Sequence, residues 1–322
     1  ATPLSRRYLA GLGGTGDVLV RYVADDYQQL ERWLMTSEAK AAIVIPPGFE
    51  ADLQAGQEAQ VQVLVDGTEP MTANTAMQHL GGYTQQFALE LASEAAARAG
   101  LLVDETSLAP IELRMRTWYN PTLKAVIGFL PALIAIVMAM PAVTTTMALT
   151  REKEHGTLEQ LIATPIRRAE LLVGKLLPYL ISGMLAIVLC VIVAVFWFGS
   201  PFQGSFALYM VLAVAFLLAS LAIALLLSVF VKTQQAAQLG AFLIFFFPGF
   251  FLSGIFYPLV SMEPIMLMEA YMVPTTHFVM IGRGLMLKGQ GIDTLWPFAL
   301  ALLGMGIAFL GMAVLLFKKK VT

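Results

Sequence analysis

The sequence is poor in the residues on which most catalytic and metal sites depend. Its 322 residues include one cysteine, Cys190, and three histidines, and only 13% of them are charged. One cysteine excludes an intrachain disulfide and argues against a thiolate metal site. The formal net charge of −2 gives no electrostatic reason to expect a nucleic-acid partner. The chain also lacks G-x-x-x-x-G-K-[ST], so we expect no P-loop of its own for ATP.

Asp, Glu, Lys, Arg and His are all absent from five long apolar segments, which are 125–149, 176–198, 205–231, 239–260 and 295–317. Each segment reaches the length of about 20 residues that a helix needs to cross a bilayer. We therefore predict an all-α membrane bundle with five visible transmembrane helices within residues 119–322. Proton-driven carriers and intramembrane hydrolases depend on ionisable groups inside the membrane, so the absence of such groups argues against both classes. A transporter without an ion site or a P-loop must take its energy from a partner.

Residues 1–118 have the composition of a soluble domain. Short strand-like patterns occur at 17–22, 41–45, 61–65 and 111–116, and helical patterns occur at 25–35 and 72–99. This alternation predicts a compact α/β domain. Residues 11–16 match G-x-G-x-x-G, but no strand precedes them, so we interpret them as a flexible turn and not as a dinucleotide site.

A polar stretch, 150–175, separates the first two apolar segments, and its residues 151–175 read REKEHGTLEQLIATPIRRAELLVGK. Gly156 is expected to end the preceding helix, and Thr157 with Gln160 matches a capping box for a short amphipathic helix. Pro165 is expected to end that helix. A charged segment between two membrane spans lies in water, where it can dock a soluble partner. The alternative is a solvated loop that binds nothing.

Residues 151–161, together with Thr164-Pro165 and 170–175, resemble the signature of ABC-2 type transporter permeases. The N-terminal domain resembles the extracytoplasmic domain of the drug-exporter-like branch of that family. The resemblance implies that the polar stretch is a coupling region for a separate ABC ATPase, which carries the ATP and Mg. The coupling residues that it implies are Arg151, Glu152, Lys153, Glu154, Gly156, Thr157, Leu158, Glu159 and Gln160. The chain itself is then expected to have no catalytic residue, cofactor or metal, and to pair with a second permease, either another copy of this chain or a similar permease.

Lysine and arginine residues predict the orientation in the membrane. They are concentrated in the 150–175 loop and at Lys318–Lys320, whereas the 199–204 loop has none. By the positive-inside rule the 150–175 loop and the C-terminus are cytoplasmic, and residues 1–118 are outside. We expect a multi-pass protein of the bacterial inner membrane, in contact with lipid. Members of the family carry a first transmembrane helix before the outer domain, so we expect that helix to be a missing segment.

Two further features bear on transport. Residues 261–294 are too apolar for a plain loop, and we predict an outer re-entrant hairpin, as the resemblance implies; a hairpin lying on lipid headgroups is the alternative. The residues predicted to line or gate an apolar pathway are Thr144, Thr145, Thr146, Phe246, Phe247 and Pro248. The alternative for the phenylalanines is simple contact with lipid or a neighbouring helix.

These observations predict a permease subunit of an ATP-binding cassette exporter, which moves a hydrophobic or amphipathic substrate outward. Drugs, lipids and glycan carriers would all suit an apolar pathway. A non-transporting membrane receptor or scaffold, with an outer ligand-binding domain, is the second hypothesis. An enzyme acting in the membrane is the third, and the lack of ionisable residues in the five segments weighs against it.

Overall fold

The computed structural model describes residues 2–14, 18–24, 26–55, 57–99, 111–121, 123–157, 168–256 and 258–316. Internal contacts divide the chain into two units, Ala1–Lys124 and Ala125–Thr322. In the first unit the described elements are α1 (Pro3–Gly14), α2 (Tyr27–Met35), β1 (Ala41–Val44), α3 (Phe49–Gln54), β2 (Ala59–Asp66), α4 (Pro70–Ala99) and β3 (Ile111–Trp118). This unit is a small α/β region, as its alternating patterns predict.

The three described strands form one sheet in the order β1-β2-β3. Strand β2 pairs antiparallel with β1 and parallel with β3, and Val63 stands opposite Ile43 on one side and Met115 on the other. Val61, Val63 and Val65 of the central strand are fully buried. The predicted strands at 41–45, 61–65 and 111–116 are therefore confirmed. The strand predicted at 17–22 is wrong, since residues 18–22 have no regular secondary structure.

Helix α1 was missed by the sequence patterns. The predicted flexible turn at 11–16 is wrong for residues 11–14, which are the end of this helix; residues 15–17 lie outside the described residues. The helix is held by tertiary contacts, since Tyr8 and Leu12, one turn apart, are fully buried. Two residues of α4 contact Tyr8. The Tyr8 hydroxyl lies 2.7 Å from Thr84 Oγ1, and the Tyr83 hydroxyl donates to the Tyr8 carbonyl at 2.7 Å.

The second unit is helical in its described parts. Its α-helices are α5 (Ala125–Met138), α6 (Met140–Glu154), α7 (Arg168–Phe196), α8 (Phe206–Phe230), α9 (Gln234–Ala241), α10 (Phe247–Phe251), α11 (Pro264–Tyr271), α12 (Pro274–Arg283) and α13 (Ile292–Leu316). A first π-helix, Phe242–Phe246, joins α9 to α10, and a second π-helix, Gly284–Lys288, follows α12. Helix α8 packs against α6, α7, α12 and α13.

Four helical stretches among the described residues are long and apolar enough to cross a membrane: Ala125–Glu154, Val173–Phe196, Phe206–Phe230 and Ile292–Leu316. They correspond to the first, second, third and fifth predicted segments. The fourth predicted segment, 239–260, in which the sequence indicates an interruption at Pro248-Gly249, is not one continuous α-helix. Its helical part runs over 234–251 and is interrupted by the first π-helix. Pro248 has no N–H to donate to the carbonyl of Ile244, which accounts for an irregular helix just before it.

The 261–294 region contains two helical pieces, Pro264–Tyr271 and Pro274–Lys288, bent by 84° at a short break. This geometry fits either a re-entrant loop or a fifth, broken span. Apart from Met280, every residue of α12 is buried, and the helix packs against α5, α8 and α13. The Phe278 ring stacks on Tyr209 and Phe216 of α8, at centroid distances of 5.4 and 4.6 Å. Helix α12 is thus enclosed by protein, unlike a hairpin on lipid headgroups.

The second π-helix is buried as well. It is joined to the loop between α7 and α8 by two backbone hydrogen bonds. Gln203 N–H donates to the Met286 carbonyl at 3.1 Å, and Gly204 N–H donates to the Leu285 carbonyl at 2.9 Å. Buried backbone groups need hydrogen-bond partners. Through these two bonds, carbonyls of the buried π-helix find partners in the neighbouring loop.

Candidate functional site

Helix α6 brings the charged motif to its C-terminal end. The helix ends at Glu154, with His155 as its C-cap, and Gly156 follows at φ +71°. A left-handed residue directly after the cap is the usual way to end a helix, and glycine adopts it without steric cost. The prediction that Gly156 ends the helix is therefore confirmed.

Lys153 caps the end of a different helix. Its Nζ donates to the backbone carbonyls of Ser228, Val229 and Val231, at 3.4, 2.8 and 3.2 Å. These carbonyls belong to the last turn and the C-cap of α8. The last carbonyls of a helix have no partner within it, and together they carry a partial negative charge. The Lys153 ammonium satisfies both their hydrogen-bonding capacity and their charge.

Glu154 caps the start of the next helix. Its Oε2 accepts the backbone N–H of Gln234, the first residue of α9, at 3.0 Å. Thr233 precedes α9 as its N-cap, and its Oγ1 accepts the N–H of Ala236 at 3.3 Å. The first N–H groups of a helix attract acceptors and negative charge. Adjacent residues of opposite charge thus hold the two ends of the α8–α9 turn to the end of α6.

Glu152 faces a third element. Its carboxylate forms an ion pair with Lys175 of α7, and the lysine side chain is the more buried of the two. This pair joins the two ends of the 150–175 stretch. Three of the predicted coupling charges, at 152, 153 and 154, are therefore engaged within the chain.

The remaining coupling residues divide into described and undescribed positions. Arg151 is exposed, and its carbonyl accepts the His155 N–H at 3.0 Å. The Thr157 hydroxyl donates to the Glu152 carbonyl at 3.2 Å, towards the preceding helix. Residues 158–160, predicted as Leu158, Glu159 and Gln160, lie outside the described residues. The capping-box partnership of Thr157 therefore stays a prediction.

The three predicted pathway threonines lie in the first half of α6. Of the three, Thr144 is exposed, whereas Thr145 and Thr146 are fully buried. All three hydroxyls donate to carbonyls of the preceding turn. Thr144 and Thr145 reach the Pro141 carbonyl at 2.9 and 2.6 Å, and Thr146 reaches that of Ala142 at 3.0 Å. Among these threonines, only Thr144 presents a surface that a moving substrate can meet within this chain.

One of the two predicted gate phenylalanines, Phe246, belongs to a longer aromatic column. Phe242, Phe246 and Phe250 stack at centroid distances of 4.4 and 5.1 Å, and Phe250 stacks on Phe256 at 5.1 Å. Phe247 points to another side, where it is half-exposed. Pro248 is partly exposed. The column begins within the first π-helix, which contains Phe242 and Phe246. Short π-helical segments are often found at functional positions.

A cavity of about 540 Å³, open to the surface, lies beside the start of this column and is lined by four exposed residues, Gln235, Gln238, Leu239 and Phe242. Their spacing of three and four residues places them on one face of α9 and the first π-helix. The face changes from amide to aromatic side chains along its length. An amphipathic molecule can match such a face with its polar and apolar parts.

Sequence patterns did not find the buried ionisable residues of the bent helix pair. His277, Arg283 and Lys288 are each less than 10% exposed. Arg283 Nη2 donates to the Gly254 carbonyl at 2.8 Å, and His277 Nε2 lies 2.8 Å from the Tyr271 carbonyl. Their positions in the sequence look like those of loop residues. In the described part of the chain, no group of three or more His, Cys, Asp and Glu side chains lies together as a metal site would need.

Comparisons with known proteins agree with the motif. A family model described as ABC-2 family transporter protein matches residues 1–315. The probable multidrug ABC transporter permease YbhS of Escherichia coli is 31% identical over 300 residues, which cover 92% of this chain and 78% of the relative. The inner membrane transport permease YhhJ of Escherichia coli is 33% identical over 286 residues, which cover 87% and 73%. The chain therefore belongs to the ABC-2 family of transporter proteins, as the multi-pass membrane permease of an ABC transporter.

Proposed function

We propose that this permease exports hydrophobic or amphipathic compounds, using ATP that a separate ABC ATPase subunit hydrolyses. The observation that carries the proposal is the charged motif at the end of α6, in a chain that has no P-loop. Its multidrug relatives YbhS and YbhR, the latter 28% identical over 270 residues, support the class of substrate. The receptor or scaffold hypothesis has no comparable observation in its favour.

The docking surface for the ATPase is proposed to begin at Arg151 and to continue through residues 157–160. Arg151 and Thr157 are exposed. The charges at 153 and 154 are exposed as well, but they and the half-buried charge at 152 make intrachain contacts. An exposed charge is free to meet an opposite charge on a partner, and a mismatched charge across an interface weakens association. Docking and intrachain contact are thus divided between neighbouring residues of the motif.

The pathway is proposed to follow the face of α9 and the first π-helix, from Gln235 through Phe242 to the Phe246 and Phe250 rings, with Thr144 as a further lining residue. The cavity and the exposure of Leu239 support this choice. Because one chain leaves this face open, we propose that a second permease copy completes the pathway. The 150–175 loop is placed in the cytoplasm and residues 1–118 outside, as the distribution of lysine and arginine indicates.

The test uses inverted membrane vesicles that contain this chain together with a candidate partner ABC ATPase subunit. ATP-dependent uptake of ethidium and of Hoechst 33342 is measured, and an ATPase whose P-loop lysine is replaced by alanine is the control. Arg151→Glu and Glu159→Lys are compared with wild type at equal membrane levels. Arg151 is exposed, and an exposed surface charge contributes under about 1 kcal/mol to folding, so Arg151→Glu is expected to accumulate normally.

We expect uptake with the wild-type pair, none with the inactive ATPase, and reduced ATPase capture by both variants. Capture of the ATPase without transport of any tested amphipathic dye would favour the receptor or scaffold hypothesis. Full capture and full uptake by both variants would show that the motif is only a solvated surface.

A further inference from the structure

The motif residues Lys153 and Glu154 contact the ends of two other helices of this chain, besides lying next to the proposed docking surface. We propose that they are transmission residues, which carry movement of the ATPase-bound loop into helix α9 and the pathway face. The inference rests on the proposed function, because it assigns these residues a task within ATP-driven transport. It differs from the docking role that the sequence motif implies for them.

The first step is the pair of helix ends that they hold. Lys153 Nζ reaches three carbonyls at the end of α8, with the shortest contact at 2.8 Å to Val229. Glu154 Oε2 accepts the Gln234 N–H at the start of α9. Each charge matches the partial charge of the helix end that it meets. A shift of the end of α6 therefore pulls on both sides of the α8–α9 turn at once.

The second step is the continuity of α9 with the pathway. Helix α9 passes directly into the first π-helix and then into α10. The same run carries the cavity residues Gln235 and Leu239 and the stacked rings of Phe242 and Phe246. Because Gln234 is the first residue of α9, a movement of Gln234 moves the start of the helix that forms the pathway face. These contacts form a contiguous chain from the end of α6 to the pathway face, and energetic coupling between distant sites can travel through such a chain.

The third step is that Lys153 and Glu154 bind backbone groups and not side chains of opposite charge, as an ordinary ion pair would. The two charges have different kinds of partner: Lys153 meets backbone carbonyls, whereas Glu154 meets a backbone N–H group. Exchanging the two charges places a carboxylate against carbonyls and an ammonium against an N–H group. Both contacts become repulsive, so the double exchange is expected to be no better than either single reversal.

The experiment measures movement of α9 without the need for a known substrate. Leu239, which is 67% exposed, is replaced by cysteine in a Cys190→Ala background. The complex with the ATPase is reconstituted in nanodiscs, and labelling of the cysteine by a polar maleimide is timed with and without ATP. Lys153→Glu/Glu154→Lys is compared with Glu154→Gln, which keeps an acceptor oxygen for Gln234. Lys232→Gln, an exposed charge in the same turn, is the matched control.

We expect ATP to change the labelling rate in the wild-type complex, and we expect the double exchange to reduce that change about fivefold or more, the lower end of typical coupling between sites. Glu154→Gln and Lys232→Gln are expected to keep most of the change. All variants are expected to capture the ATPase as wild type does, whereas Arg151→Glu captures less. Retained capture also shows that the variant chain is folded.

Three results would overturn the inference. If the double exchange loses ATPase capture as Arg151→Glu does, the two residues dock the partner and do not transmit movement. If the double exchange captures ATPase and keeps the full ATP response, the contacts are irrelevant to coupling. If the assembled wild-type complex gives no ATP response at Leu239, α9 is not driven, and the proposed function still stands. Failure of the wild-type chain to capture any ATPase would instead reject the proposed function, and this inference with it.

Discussion

Gly204 in the loop before α8 offers a direct test of how closely that loop approaches the second π-helix. A methyl group at position 204 would lie 2.8 Å from the Leu285 carbonyl oxygen, 2.7 Å from Leu285 Cδ2 and 3.2 Å from Leu285 Cα. Leu285 is fully buried, so its backbone has little room to move. Gly204→Ala must therefore push the loop away from the helix.

The expected loss of stability follows from the contacts. Forcing a methyl group into a packed interior costs about 1–3 kcal/mol. The displacement also stretches the hydrogen bonds from Gln203 and Gly204 to Met286 and Leu285, each with a net value of about 0.5–1.5 kcal/mol. We expect a total loss of about 2–4 kcal/mol, since part of the clash and part of the stretching relieve each other. For a unit of this size, at about 2–4 °C per kcal/mol, that is a fall in Tm of roughly 4–16 °C.

The assay is thermal unfolding of the purified chain in one detergent, followed by the loss of the monodisperse peak in size-exclusion chromatography. Gly174→Ala in α7 is the matched control, because no atom lies within 4 Å of a methyl group placed there. Alanine is better than glycine inside a helix by about 1 kcal/mol, so this control should melt at or above the wild-type temperature. If Gly204→Ala has the same Tm as wild type, the loop before α8 does not approach the second π-helix this closely, and the two backbone hydrogen bonds between them do not hold the loop in place.

Three more predictions concern the membrane unit and its assembly. In intact cells, a polar thiol reagent should label Gln57→Cys and not His155→Cys; the reverse pattern would contradict the proposed orientation. Glu152→Lys and Lys175→Glu should each weaken ATP-driven transport, and the double reversal should restore much of it, because a simple ion pair tolerates exchange of its partners; no recovery would show that the pair has another role. Native mass spectrometry of the ATPase-bound complex should find two permease copies, and a single copy would argue against a pathway shared between two chains.

The segments of this chain that the sequence predicts well are those decided by local rules. The break at Gly156 needs only glycine's access to a left-handed conformation. Four of the five apolar segments become helices because their length and hydropathy leave no other way to satisfy the backbone in lipid. The strands at 41–44, 59–66 and 111–118 follow from their alternating or continuous apolar patterns. The family, too, could be inferred from the residues of the motif alone.

The tertiary structure decided which charges of the motif remain available. Lys153 meets carbonyls 75–78 positions away in the chain, and Glu154 meets an N–H 80 positions away. A charged side chain can hydrogen-bond to a helix end only where packing brings the two within about 3 Å, and no local pattern in the sequence encodes that approach. The same reason explains helix α1, which depends on contacts of Tyr8 with α4, and the enclosure of α12 between α5, α8 and α13. The sequence by itself thus determined the spans and the motif, whereas packing alone determined that adjacent charges join three helix ends.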